Sequence, residues 1–389
     1  MPSPGFFRTR KRSAVTVGIA ATIAVAAMPL FGDESSDPAG PQVDTVVLQL
    51  AESADSPQGL AARWRVLQRD PGDAEAAGRY AGLALRHYAL SGDARYLGYA
   101  EGALAHWQDD ANPPLPVWLL RGRILQTQHR FVEAGTDLDR LLATHRHSVE
   151  AMLLAADAWR RAGDIDRARS RCAGLALAGF AEPASHCAAD ILMSLGKAGE
   201  AHALLSPLHT GSSQAPQELK QWMLTVAADA AAAAGRDPRA RALYERALAI
   251  PDASIAMYAS YADLLLADGR PDEAIAALAR APDQDADALL LRRAFAAKQL
   301  GGTDFEVLCE RLRAGFDEAR QLGTAALHLR EQALFELWID DDPDAALAYA
   351  EQNWTLQKGW EDAALFIKVA RAAGRPEAAG AVHDWRQRF

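Results

Sequence analysis

An all-α array of helical hairpins is the fold class that this sequence predicts, and three observations predict it. Ala, Leu, Arg and Asp dominate, while Ile, Val and Thr are scarce after the first 50 residues; such a composition forms helices and has little from which to build strands. One frame recurs: a helix with a small residue in its middle, a turn that usually contains Gly, then an Ala five residues on that opens a second helix. The turn residues of this frame are Gly92, His129, Gly163, Gly196, Gly235, Gly269, Gly301, Asp341 and Gly374, with a mean spacing of about 35 residues. At 389 residues, half of them hydrophobic, the chain has length for two ordinary domains or one extended array. The repeat favours the array.

Taken in order, the first element is a targeting segment over residues 1–31. Arg8, Arg10, Lys11 and Arg12 precede an uncharged run from Ala14 to Met28 that is mostly Ala, Val and Ile, the layout of an export signal. Small residues at Ala24 and Ala26, or Val25 and Ala27, suit cleavage after Ala26 or Ala27. The alternative is an uncleaved inner-membrane anchor through residues 14–31, because the apolar stretch continues through Leu30 and Phe31 to about the length of a bilayer span. No Cys follows the run, so a lipoprotein signal is excluded. In both cases the basic flank stays inside and the rest goes out, which predicts a periplasmic or other extracytoplasmic location. Residues 32–42 have no apolar periodicity and read as a flexible tether. The folded body is expected over 43–389, as about nine helix pairs.

Within the body, the small residue seven before each turn is Gly122, Ala156, Ala189, Ala228, Ala262 or Ala294, and the Ala five after it is Ala134, Ala168, Ala201, Ala240, Ala274, Ala346 or Ala379. Antiparallel helices approach closely only where side chains are small, and the turn needs a residue that tolerates positive φ. Three spacings are long. Their extra length falls at 109–116, rich in Pro, at 206–216, rich in Gly and Ser, and at 314–323, where a lengthened helix is an option.

From about Asp73 to Phe389 this pattern resembles the tetratricopeptide family, departing where the large consensus aromatics give way to Leu or Ala and where Glu306 replaces the opening Ala. The resemblance implies a right-handed superhelical array of antiparallel hairpins, a tetratricopeptide-like α-solenoid. The segment Leu125 to Phe131 and the pair Cys172 and Cys187 also look like a group of exported bacterial repeat proteins of unassigned role.

The chain has no Gly-rich phosphate loop, nucleophile elbow, His-Glu-x-x-His or Cys-x-x-Cys. No catalytic residue, cofactor or metal site is therefore assigned. Asp283, Asp285 and Asp287 imitate a calcium loop, but Ala288 and Ala294 occupy the positions that need Gly and Glu; the acids are expected to cap the following helix. His129, His145 and His147 read as a solvated helix end, and Asp340 to Asp342 as a capped turn. Cys172 and Cys187 fall on neighbouring helices, where they form a disulfide if the body is exported or otherwise remain two buried thiols. Cys309 is left unpaired.

A net charge of -10 argues against nucleic-acid binding. In the tetratricopeptide family the residue six before the turn faces the concave groove. Here that register holds Arg86, Arg123, Asp157, Asp190, Asp229 and Asp263, then Phe295, Phe335 and Lys368. Four successive aspartates suit a basic or amine-bearing extended ligand, with Arg86 and Arg123 gripping an acid at one end; a solvated polar face is the competing reading. Phe295, Phe335, Trp338, Trp354 and Trp360 are expected in the core more than at an interface. The function expected is a scaffold that binds a protein or peptide in envelope or secretion-complex assembly, the alternative being a solute- or glycan-binding protein that uses the acidic groove.

Overall fold

The computed structural model describes residues 57–208 and 215–389; the expected signal, the tether and the start of the body lie outside them. Among the described residues the regular structure is entirely helical. A lone helix α1 (Pro57–Leu67) precedes nine helix pairs: α2 (Ala74–Ser91) with α3 (Ala94–Ala103), α4 (Leu115–Thr127) with α5 (Phe131–Thr144), α6 (Val149–Ala162) with α7 (Ile165–Leu177), and α8 (Ala181–Ser194) with α9 (Ala198–Leu205). These are followed by α10 (Gln217–Ala233) with α11 (Asp237–Leu248), α12 (Ile255–Ala267) with α13 (Pro271–Leu278), α14 (Asp287–Leu300) with α15 (Phe305–Gln321), α16 (Leu329–Trp338) with α17 (Pro343–Leu356), and α18 (Trp360–Ala372) with α19 (Gly380–Arg386). No described helix is long and apolar enough to cross a membrane.

Local chemistry explains the pairing. Every turn residue of the repeat frame, His129 and Asp341 included, has positive φ, a conformation in which a Cβ crowds the next carbonyl. The seven opening alanines are all buried. Gly122 is equally constrained, since a Cβ there would come within 2.8 Å of Leu138. Asp73, Ser148, Asp164, Ser254 and Asp342 accept hydrogen bonds from amides in the first turns of α2, α6, α7, α12 and α17. The expectation for Asp283, Asp285 and Asp287 is corrected: none makes a cap bond to α14, whose N-cap is Ala286. Asp283 accepts instead from the Asp285 amide, Asp285 pairs with Arg311 at 2.8 Å, and Asp287 stands in the first turn of α14, near the positive end of its dipole, 3.6 Å from His328.

Pairs distant in sequence also meet. α2 packs on α12 and α8 on α18. Side chains from α4 to α8 share one continuous apolar cluster with side chains from α14 to α19. Trp385 of α19 donates its indole N–H to the Gly163 carbonyl at 3.1 Å, Arg386 donates to the Ser194 carbonyl at 3.0 Å, and the Lys358 amide donates to the Arg161 carbonyl at 2.9 Å. The end of the chain is thereby docked on the turns of the third and fourth pairs. Phe335 and Trp354 are buried, and Phe295 stacks on Trp338 with ring centroids 4.6 Å apart; the C-terminal aromatics mainly pack between helices.

Candidate functional site

The register of the first helices places Asp157 on α6, Asp190 on α8 and Asp229 on α10, and close packing of consecutive pairs brings the three carboxylates into one electrostatic field. Asp157 accepts from Arg160 at 2.5 Å and from Arg161 at 3.0 Å. Those arginines follow it by three and four residues, so the helix itself stacks them on the carboxylate. Arg160 also reaches Asp190 across the pairs at 3.1 Å and donates to the Ser194 hydroxyl at 3.0 Å. Tyr244 of α11 donates its hydroxyl to Asp229.

Glu361 of α18 adds a fourth acid from the last pair; its charge acts on Asp190, Asp229 and Tyr244. The answering cations are Arg160, Arg161 and Arg330 of α16. Burial disfavours the charged form of Arg330, but Glu361, Asp362 and Glu331 outweigh it and raise its pKa.

These groups titrate unlike free side chains. Burial lifts Asp157, yet Arg161 and Arg160 overcome it and hold the carboxyl below its ordinary range. Asp190 is pushed up to about 6, by burial first, with Arg160 opposing and the charges of Asp157 and Glu361 adding to the rise. Burial and Glu361 drive Asp229 well above the carboxylate range. His129, in the turn before α5, is driven down to about 4 by burial and by the charge of Arg161. Protein crowds Asp157 and Asp190 closely, although 35 % and 15 % of their side-chain surfaces stay accessible to water. An accessible, poorly neutralised carboxylate favours a cation that enters with its own hydrogen bonds.

The other residues of the register have partners of their own. Asp263 accepts two bonds of 2.8 Å from the buried guanidinium of Arg292. Arg86 pairs with Asp252 at 2.6 Å, 166 residues away, and Arg123 pairs with Glu150 at 2.6 Å. The structure thus unites Asp157, Asp190 and Asp229, with Asp263 acting on Tyr244 and Arg330 from the edge of the cluster while bound to Arg292, and it engages Arg86 and Arg123 in ion pairs elsewhere in the chain. Glu361, Arg330 and Tyr244 carried no signal in the repeat register; Arg160 and Arg161 could have been found from their i+3 and i+4 spacing to Asp157.

Beside this site a disulfide joins Cys172 of α7 to Cys187 of α8, with Cα atoms 5.6 Å apart, and Cys309 is free and buried. Among the described residues no group of His, Cys, Asp and Glu is arranged to hold a metal ion.

No protein-family model matches the chain. No curated protein matches it either. Solved structures do. The APC/C hetero-tetramer Cut9-Hcn1 aligns over 84 % of this chain with a TM-score of 0.52 at 15 % identity. This chain spans 63 % of that protein, just under two thirds of its length. A Rap protein complexed with competence and sporulation factor aligns over 81 % of this chain and 94 % of its own (TM-score 0.48, 14 % identity). A tetratricopeptide repeat protein from Parabacteroides merdae aligns over 67 % of this chain and 94 % of its own (TM-score 0.39, 16 % identity). The described body has a tetratricopeptide-like helical-solenoid fold.

Proposed function

We propose that this protein is a non-catalytic helical scaffold that holds a protein or peptide partner beyond the cytoplasmic membrane, where it assists assembly of an envelope or secretion complex. The observation that carries the reading is the pair of carboxylates Asp157 and Asp190, bridged by Arg160 at 2.5 and 3.1 Å and still open to water over 35 % and 15 % of their side-chain surfaces. A Lys or Arg side chain of a partner adds a cation beside Asp190, where burial and the charges of Asp157 and Glu361 oppose ionisation. The fold supports the scaffold class, since stacked hairpins present repeated side chains along one face. Export is supported by the basic and apolar N-terminal layout and by the Cys172–Cys187 bond, which persists in oxidising compartments.

The narrow access to Asp190 and Asp229 favours a second reading, a small cationic solute held by the same carboxylates. An affinity pull-down from membrane-solubilised native cells decides between them, comparing the wild-type chain with Asp190→Asn/Asp229→Asn. Envelope proteins retained by wild type and lost by the double variant support the scaffold. Retention of no protein, together with calorimetric binding of a polyamine to wild type alone, replaces it with the solute reading.

A further inference from the structure

The outer side of the second and third pairs carries chemistry opposite to that of the inner carboxylates. There α5, the turn after it, α6 and α7 enclose an open groove of about 350 Å³, lined by Leu142, Met152, Gly174 and Leu177 between Arg146, His147 and Arg171. Leu142 and Met152 form a buried apolar floor. Gly174 keeps that floor within reach, because a Cβ on it would stand only 3.2 Å from the Met152 sulfur. Leu177, at the C-terminal end of α7, leaves 90 % of its surface in water, more than any other large apolar side chain among the described residues. An exposed leucine beside an apolar floor is the anchor-and-pocket arrangement of protein interfaces.

The rim states what the anchor accompanies. Its charged and titratable side chains are Arg146, His147 and Arg171, and no acid lines the groove. Asp139 pairs with Arg171 at 2.8 Å and accepts from the Trp159 indole through its other oxygen, which offsets the Arg171 charge and leaves Arg146 as the main source of positive field on the rim. A basic rim on a chain of net charge -10 is a local reversal of sign. It attracts an acidic segment at short range and repels a basic one. The Cys172–Cys187 bond lies next to Arg171 and ties α7, one wall of the groove, to α8.

We infer that this groove docks an acidic peptide segment that lays an apolar side chain against Leu177 and Met152 between Arg146 and Arg171. The surface is separate from the inner carboxylates and selects the opposite charge, so the two sites fail independently.

The test is a selection of random phage-displayed peptides on the full chain, followed by fluorescence anisotropy of the recovered peptides against Leu177→Asp, Arg146→Glu and Asp190→Asn/Asp229→Asn. The expected peptides combine Asp or Glu with Leu, Ile or Phe. They bind the first two variants at least about tenfold more weakly, bind the inner double variant like wild type, and lose affinity as salt rises. Leu177 and Arg146 are both exposed, so circular dichroism of their variants should match wild type. Recovery of basic peptides, recovery of none, or equal binding to Leu177→Asp and wild type overturns the proposal. Leu177-dependent self-association in sedimentation, with no peptide binding, overturns it as well and assigns the groove to a second copy of the chain.

Discussion

The turns of the third and fourth helix pairs and those of the fifth and sixth share one motif and differ in what surrounds them. Gly163, Gly196, Gly235 and Gly269 all lie in the left-handed region, with φ of 89°, 77°, 67° and 68°. A Cβ on Gly235 or Gly269 would meet nothing within 4 Å, whereas one on Gly163 would press on Lys358 and Trp385 at 3.1 Å, and one on Gly196 on Arg386 at 2.9 Å. The difference teaches that a repeat sets the conformation of its own turn but not its neighbours. What covers a turn depends on how the helix pairs between it and the chain end are stacked.

The largest test of that comparison is Trp385→Ala. Trp385 is buried, donates to Gly163 and sets its ring edge-on to Trp354, so its loss should cost about 3–5 kcal/mol and lower the calorimetric Tm. An unchanged Tm would mean that the third turn is not covered in solution.

Next comes the disulfide, which joins the two covered pairs across a separation of 15 residues. Reduction, or Cys172→Ser with Cys187→Ser, should destabilise by about 3 kcal/mol in urea titration. If the loss reaches the uncovered turns equally, hydrogen exchange there should rise as much as at Gly163.

Glycine-to-alanine substitution sharpens the contrast further. At Gly235 and Gly269 only the left-handed backbone opposes Ala, a cost of about 1–2 kcal/mol. Gly163→Ala should cost about 1 kcal/mol more, because a packed indole must shift. Gly196→Ala should fall between them, since the group it meets is the mobile end of Arg386. Equal values at all four sites would break the comparison.

The smallest effect is in pH dependence. Asp190 sits at about 6 in the fold, against an ordinary 3.8, so between those values the folded chain keeps a proton that the unfolded chain releases. Stability from this group falls as pH rises through that window. His129, at about 4 against 6.5, refuses a proton that the unfolded chain takes, and its contribution falls as pH drops. The two slopes oppose each other in the wild type. Asp190→Asn should therefore leave a chain that loses stability more steeply on acidification between about pH 6 and 4, and His129→Asn the reverse, by up to about 1.4 kcal/mol per pH unit. Urea titrations at several pH values measure both.

The turn register and the buried alanines were legible because each depends on residues within a few positions of one another. The sign of the inner row was equally legible at Asp157, Asp190 and Asp229. Glu361 and Arg330 were not, because the last helix pairs reach the third, fourth and fifth only after the whole array is stacked. Arg86 and Arg123 show the same limit from the other side. Their register is regular, yet Asp252 and Glu150 engage them, and only the stacking determines which acids come within reach. Asp285 looked like a cap in sequence and pairs instead with Arg311 of α15.

The measurement that tests the central claim most directly is a titration of a fluorescent lysine-rich peptide into the full chain and into Asp190→Asn/Asp229→Asn, with circular dichroism to establish that both are folded. The account predicts saturable, salt-sensitive binding to wild type and at least about a tenfold loss in the double variant. Equal affinity for both would contradict it and remove the inner carboxylates from the binding surface.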